Sequence, residues 1–350
     1  MHFGSFMEFG LRDGGSAEDA FREAFALVDA SEAWGLDCIW LAEFHFTPDR
    51  SVLSSPIVTA SAIAGRTERI RVGLAVYVLP LTNPLRVAEE VASLDQISGG
   101  RFEFGIGRSG FVNSYNSYAI DYADSEGRFD EALTILRQAW RGEPFSFHGK
   151  YYQVENALVV PQPLQRPYPP MRMAATSAAT FEKVAKLGLP LFVGLRGDGL
   201  GQLRDSLDRY RQAWRAAGHQ GESSCYLRVP VYAADTAKAA YDEPKDNIVY
   251  YFRRQAELLA RLGAEKAGGS GGRDKVAARL AALTYEDILE SRVAFGDSGQ
   301  LIDRLNTWRD ELGIDGVVME LNAGGRLSEA QVMNSLRVLT HEVMPAFKPH

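Results

Sequence analysis

One stretch of the chain combines a glycine turn with a single arginine directly after an apolar strand pattern. Phe102, Phe104 and Ile106 alternate along a predicted strand, which runs into Gly107-Arg108. Glycine lets a ligand approach the backbone closely, and a guanidinium presents a fork of donors that suits phosphate. The pattern suggests half of a site for an anionic cofactor, although an ordinary turn with a surface arginine would look the same.

Hydroxyl side chains follow a second predicted strand. Ser177 begins the next predicted helix, and Thr180 lies one turn into it. Free backbone N–H groups at a helix start can bind an anion, so Arg108 and this helix start would together form a phosphate clamp. Taken alone, Ser177 is better explained as an ordinary N-cap; the pairing with Arg108 is what favours the functional interpretation.

A histidine stands at the end of a third predicted strand, in the segment Glu43-Phe44-His45-Phe46. Imidazole changes charge near neutral pH, which makes His45 the candidate acid or base; a hydrogen-bonded structural histidine is the alternative. The sequence has no Cys/His metal spacing, P-loop or Gly-x-Ser-x-Gly motif. We therefore expect no metal, and we expect an organic cofactor to carry the chemistry.

Parallel strands whose carboxyl ends share one edge would bring these residues together. Apolar runs predict eight strands, at residues 2–7, 38–42, 70–79, 102–106, 171–175, 189–193, 226–233 and 316–321. Helical spacing predicts helices at 16–34, 56–64, 84–97, 125–140, 177–187, 200–217, 236–262 and 328–344. Eight strand–helix units favour a (β/α)8 TIM barrel over a doubly wound sheet, as one domain over residues 1–350.

Two stretches interrupt the alternation. Residues 143–170 are rich in proline and aromatic residues, which predicts an excursion of short strands and loops. Residues 263–275 are rich in glycine and polar residues, which predicts a mobile loop. That loop would be either a passive linker or a lid beside the mouth of the barrel.

The composition is that of a globular protein with a large core: 46% of the 350 residues are hydrophobic and 24% are charged. A formal charge of −7 argues against nucleic acid and anionic membranes as partners. Two cysteines do not make a disulfide framework, and no secretory leader or membrane-spanning stretch is evident. We therefore expect a cytoplasmic protein.

The chain resembles the bacterial luciferase-like monooxygenases, and the similarity runs nearly end to end. The matching segments are Phe3–Phe6, Ala30–Glu32, Gly35–Asp37, Trp40–Thr47, Val78–Pro80, Asn83–Glu90, Leu94–Phe102, Ala175–Ser177 and Gly188–Pro190. The resemblance implies a (β/α)8 barrel that binds reduced FMN, reacts it with O2 to a C4a-hydroperoxide and oxidises a small organic molecule. A flavin reductase would supply FMNH2, and family habit favours a homodimer.

The resemblance also assigns residues to roles. Arg108, Ser177 and Thr180 would hold the phosphate. His45 matches the second of two adjacent histidines in luciferase and stays the candidate catalytic residue because of its imidazole. The residues near the isoalloxazine ring would be Glu43, Ala75, Val76, Gly107, Gly194 and Leu195. A non-prolyl cis peptide would fall at Ala75-Val76. Besides His45, the pocket for the substrate would be lined partly by Phe6, Phe44, Tyr77 and Phe111.

Three positions depart from luciferase itself. Phe44 stands where luciferase has its first, catalytic histidine, Gly107 replaces a reactive cysteine, and Glu126 falls where a second phosphate-binding arginine is found, with Arg128 nearby. Two alternatives follow: a non-catalytic flavin-binding or partner subunit of the same fold, and an oxidoreductase that uses a deazaflavin, as related barrels do.

Overall fold

A computed structural model of the chain describes residues 1–195, 199–264 and 271–348. Its strands are β1 His2–Met7, β2 Cys38–Leu41, β3 Arg71–Leu74, β4 Tyr77–Val78, β5 Phe102–Gly107, β6 Phe145–His148, β7 Gln153–Ala157, β8 Met171–Ala174, β9 Leu191–Gly194, β10 Cys225–Ala233, β11 Ala294–Gly296 and β12 Gly316–Glu320.

The α-helices lie between and after these strands. They are α1 Ala17–Ala33, α2 Pro56–Arg66, α3 Pro84–Ile97, α4 Val112–Ser117, α5 Ser125–Ala139, α6 Ala178–Lys186, α7 Gly199–Ala216, α8 Ala237–Asp242, α9 Lys245–Ala264, α10 Gly271–Ala281, α11 Tyr285–Ser291, α12 Ser298–Leu312 and α13 Glu329–Val338. Within the described ranges, no helix has both the length and the apolar character needed to cross a bilayer.

The chain forms two compact units. The terminal unit comprises Met1–Phe6, Leu11–Asp37 and Ala175–His350, and the middle unit comprises Met7–Gly10 and Cys38–Ala174. In the middle unit β2, β3, β5 and β8 pair in parallel in that order. In the terminal unit β9, β10, β12 and β1 do the same. These eight parallel strands alternate with helices, which confirms the predicted (β/α)8 barrel.

The barrel strands are buried along most of their length, as parallel strands covered by helices must be. Trp40 on β2 is fully buried, and its ring lies across β3 at Gly73. A Cβ built on Gly73 would come within 2.2 Å of the indole, so glycine is required at this strand position. The six residues of β5, which lead to the Gly107-Arg108 turn, are all buried.

The proline-rich excursion at 143–170 contains the predicted short strands: β6 and β7 form an antiparallel hairpin. The hairpin docks on α5 through one carboxylate. Glu131 accepts the backbone N–H groups of Lys150, Tyr151 and Tyr152, at 2.7, 2.9 and 3.1 Å. Three bonds to one charged acceptor fix the hairpin in place, since charge-assisted hydrogen bonds are stronger than neutral ones.

The sequence predictions need correction at several places. The strand predicted at 70–79 is two strands, β3 and β4, separated by Ala75-Val76. The loop predicted at 263–275 is helical at both ends, in α9 and α10, and residues 265–270 lie outside the described residues. Strand β11 was not predicted; it is three residues long and pairs with the end of β10.

Candidate functional site

The carboxyl ends of β2, β3 and β5 lie at one edge of the middle unit, and Glu43 follows the first of them. Its carboxylate is buried; one oxygen accepts the Val78 backbone N–H at 2.9 Å, and the other lies 2.7 Å from His45 Nε2. Glu43 therefore joins the β4 backbone to the histidine. The expected contact of Glu43 with a flavin ring stays a prediction.

His45 has partners at both ring nitrogens. Besides the contact with Glu43, its Nδ1 lies 3.3 Å from the Tyr118 hydroxyl, and the Tyr118 ring meets the imidazole edge-on at 5.3 Å. The imidazole side chain is 11% exposed. The candidate acid or base is thus held in one orientation, and Tyr118 is a neighbour that the sequence did not indicate.

The peptide bond between Ala75 and Val76 is cis, which confirms the expectation drawn from the resemblance. Gly107, at the end of β5, packs directly on this segment: a Cβ at position 107 would lie 2.4 Å from Val76 Cγ2. Glycine is therefore needed here for close packing, and the three residues form one small apolar surface. Tyr77 is buried next to Phe104, and burial raises the pKa of its hydroxyl above the ordinary value.

Arg108 follows Gly107 directly. Its Nη1 donates to Ser125 Oγ at 3.1 Å, at the start of α5, and its guanidinium lies 5.8 Å from the Tyr122 ring centroid. The Tyr115 hydroxyl donates to the Arg108 backbone carbonyl, which fixes the turn. A guanidinium carries five N–H donors, so this arrangement leaves donors for an anion.

Two of the predicted pocket residues pack on each other in this unit. The rings of Phe44 and Phe111 meet edge-to-face at 5.7 Å, and the Arg50 guanidinium lies 4.2 Å from the Phe44 ring centroid. Arg128, the alternative second arginine, faces the hairpin instead: its guanidinium lies over Tyr151 and Tyr152, at 5.4 and 5.7 Å.

The predicted helix start lies in the terminal unit, and both hydroxyls are where the sequence placed them. Ser177 is the N-cap of α6, with its Oγ 3.4 Å from the Thr180 backbone N and 2.8 Å from Thr180 Oγ1. A cavity of about 150 Å³ opens at this helix end. It is lined by Thr176, Ser177, Ala178, Phe181, Gln202, Asp205, Ser206 and Arg209.

Arg209 was not predicted. Its guanidinium lines the cavity together with the N-terminus of α6. Both favour an anion. Asp205 opposes them within the same lining. Arg108 belongs to the middle unit, so the clamp between Arg108 and this helix start stays a prediction.

A second cluster in the terminal unit was missed by sequence reasoning. Arg228 Nη2 on β10 donates to Glu320 Oε2 at 2.9 Å, and the Arg228 guanidinium lies 3.7 Å from the ring centroid of Phe6, on β1. Gly194, the end of β9, is the register partner of Arg228. Leu195 follows Gly194 and is partly buried. The sequence feature that could have indicated this cluster is the single charged residue inside each of the apolar runs of β10 and β12.

The arrangement offers donors for an anion, an apolar surface and one histidine with fixed partners. In the described part of the chain, no group of three or more His, Cys, Asp or Glu side chains is placed to hold a metal ion. The arrangement therefore suits the binding of an organic anion beside an acid or base.

Comparison with known proteins gives a consistent result. The sequence model described as "Luciferase-like monooxygenase" matches residues 1–316. The alkanal monooxygenase alpha chain of the Kryptophanaron alfredi symbiont is 25% identical, with 99% of both chains covered. The oxygenase component of the flavin-dependent trigonelline monooxygenase of Acinetobacter baylyi is 24% identical, over 96% of this chain and 92% of that one.

A solved structure agrees with these relatives in fold. It is the oxygenating constituent of 3,6-diketocamphane monooxygenase from Pseudomonas putida, in complex with FMN. Its TM-score is 0.83 at 22% identity, and the alignment covers 99% of this chain and 98% of that one.

Proposed function

This chain belongs to the luciferase-like monooxygenase family, and on that premise we propose that it is the oxygenase component of a two-component, FMNH2-dependent monooxygenase. The observation that carries the proposal is the turn at the end of β5. There a glycine packed tightly on Val76 is followed by an arginine that retains donors for an anion. An isoalloxazine ring would need a strand end without a bulky side chain, which Gly107 provides. A ribityl phosphate would need hydrogen-bond donors, which Arg108 provides.

The residues present fit the cofactor by their chemistry. Arg108, Ser177 and Thr180 would hold the phosphate, since a guanidinium and a capped helix start both favour an anion. Gly107 leaves the apolar surface of Ala75 and Val76 uncovered by a side chain of its own. Glu43, Gly194 and Leu195 would complete the surroundings of the ring.

Reduced FMN, when bound, supplies the electrons that activate O2, so that one oxygen atom enters the substrate and the other leaves as water. The chain's own side chains would orient the substrate and exclude water. Phe6, Phe44, Tyr77 and Phe111 would form the mainly apolar pocket that such a task needs. His45 would act as the acid or base of the reaction. A flavin reductase would deliver the reduced flavin, because the Acinetobacter relative is named as the oxygenase component of its monooxygenase. We also propose that the chain acts as a homodimer.

The test compares binding of photoreduced FMN and reduced riboflavin under anaerobic conditions. Wild type should prefer FMN, and Arg108→Ala should weaken FMN binding by about 10- to 100-fold while changing riboflavin binding little, because hydrogen bonds to charged groups are worth roughly 1.5–3 kcal/mol. Arg128→Ala is the matched control and should keep the preference, since Arg128 faces the hairpin.

Turnover is then measured as O2 uptake and product formation with a panel of aldehydes, ketones and aromatic compounds. Incorporation of one labelled atom from 18O2 into a product would support the proposal. FMN binding without a product would favour the non-catalytic subunit, and tighter binding of a deazaflavin would favour hydride transfer. Equal affinity for FMN and riboflavin would contradict the phosphate site.

A further inference from the structure

Both ring nitrogens of His45 already have partners inside the middle unit. The Glu43 carboxylate oxygen at 2.7 Å from Nε2 accepts a hydrogen bond, so in the neutral imidazole Nε2 carries the proton. The lone pair is then on Nδ1, where the Tyr118 hydroxyl lies at 3.3 Å. Tyr118 therefore donates and His45 accepts.

A substrate could reach Nδ1 only by displacing the Tyr118 hydroxyl. Tyr118 is the member of the group that solvent reaches, being 43% exposed, whereas the His45 side chain is 11% exposed. The Tyr118 phenol is thus the accessible end of a chain of hydrogen bonds that continues through His45 to the buried Glu43. Val78 N–H, which donates to the other Glu43 oxygen, anchors the inner end.

The surroundings of Tyr118 favour the protonated form of its hydroxyl. Burial, and then the negative charge of Glu43, raises the pKa of Tyr118 above the ordinary value for a phenol. Burial, and to a smaller extent the charges of Glu43 and Tyr118, likewise raises the pKa of Tyr77. The resting group is therefore a protonated phenol facing an imidazole lone pair.

We propose that Tyr118 is the residue that exchanges a proton with the substrate, and that His45 and Glu43 form a relay behind it. This inference rests on the proposed function. In the step, a substrate O–H proton moves to the Tyr118 oxygen as the Tyr118 proton moves to His45 Nδ1. One proton passes from substrate to imidazole, and the imidazolium formed is stabilised at Nε2 by Glu43. The same transfers in reverse return the proton from His45 to the substrate.

The first test reads the hydrogen bond in the flavin-free protein by 15N NMR of the imidazoles, with the His45 signals assigned by their loss in His45→Asn. Wild type should show the Nε2–H tautomer with a hydrogen-bonded Nδ1. Tyr118→Phe should move the Nδ1 resonance toward that of an unbonded acceptor. Tyr241→Phe is the control, because Tyr241 has similar exposure, 40%, and its hydroxyl bonds to Glu286. An unchanged His45 spectrum in Tyr118→Phe would overturn the inference.

The second test measures turnover with photoreduced FMN. Tyr118→Phe should lower kcat by about 100-fold, the size of acid–base effects, with reduced-FMN affinity unchanged. Fluorotyrosine at position 118 should restore most of kcat and move the basic limb of the pH–rate profile to lower pH, because fluorine makes the phenol more acidic.

A pH profile that does not move with the fluorotyrosine, or a Tyr118→Phe variant as active as wild type, would overturn the inference alone. A wild-type protein that binds no reduced FMN and forms no product would overturn the proposed function, and the inference with it.

Discussion

The packing of Gly107 on Val76 gives a quantitative prediction. A Cβ at position 107 would lie 2.4 Å from Val76 Cγ2. Carbon atoms in ordinary contact are about 3.5–4.0 Å apart, so Gly107→Ala is short of space by roughly 1 Å. Overpacking of this kind costs about 1–3 kcal/mol, and alanine recovers about 0.4–1 kcal/mol through the unfolded chain. We expect a net loss of about 1–2 kcal/mol in the free energy of unfolding.

Two controls isolate the clash in urea denaturation. Gly65→Ala, in α2, has no atom within 4 Å of the new Cβ, so it should be neutral or stabilise by up to about 1 kcal/mol. The double variant Gly107→Ala/Val76→Ala removes Cγ2 and should recover about 1 kcal/mol relative to the sum of the single changes. If Gly107→Ala behaves like Gly65→Ala, the tight contact does not exist in the protein.

Two further predictions concern helix starts. Ser177→Ala should lower the free energy of unfolding by about 1 kcal/mol and weaken FMN binding. Thr236→Ala removes the N-cap of α8 and should lower the free energy of unfolding by a similar amount with no change in FMN binding. Equal effects of the two substitutions on FMN binding would remove Ser177 from the phosphate site. Hydrogen bonds from Ser16, then Arg22, lower the pKa of Asp19 from 3.8 to about 2, so the stability that Asp19 contributes is present above pH 4 and lost as the pH falls through 2. An NMR titration should show Ser16→Ala raising that pKa toward 3.8; an unchanged midpoint would refute the capping account.

Periodicity predicted most of the fold because the barrel strands are buried on both faces and consist mostly of apolar residues. It failed where tertiary packing decides the structure. The glycine-rich composition around 271–275 predicted a loop, yet these residues begin α10. Further along α10, Leu280 is buried in one cluster with Ile248 and Phe252 of α9, and packing of this kind overrides a weak local propensity.

The local structure of the candidate site was predictable where one turn carries it and not where distant segments meet. Gly107-Arg108 and Ser177 with Thr180 are local patterns, and the sequence predicted both. His45 and Tyr118 are 73 residues apart, and Arg228 and Glu320 are 92 apart. Only the pairing of strands and the folding of their connecting segments bring such residues into contact, and no local pattern encodes those distances.

The phenylalanine at position 44 bears on which residue can move a proton. Its ring packs edge-to-face with Phe111, and the Arg50 guanidinium, which is paired with Glu8, lies over it. An apolar ring in this stack can shape the pocket but cannot titrate. His45 is the one imidazole in the segment after β2, and its Nε2 is committed to Glu43. The proposed proton exchange at this strand end would therefore pass through Nδ1, and hence through the hydroxyl of Tyr118.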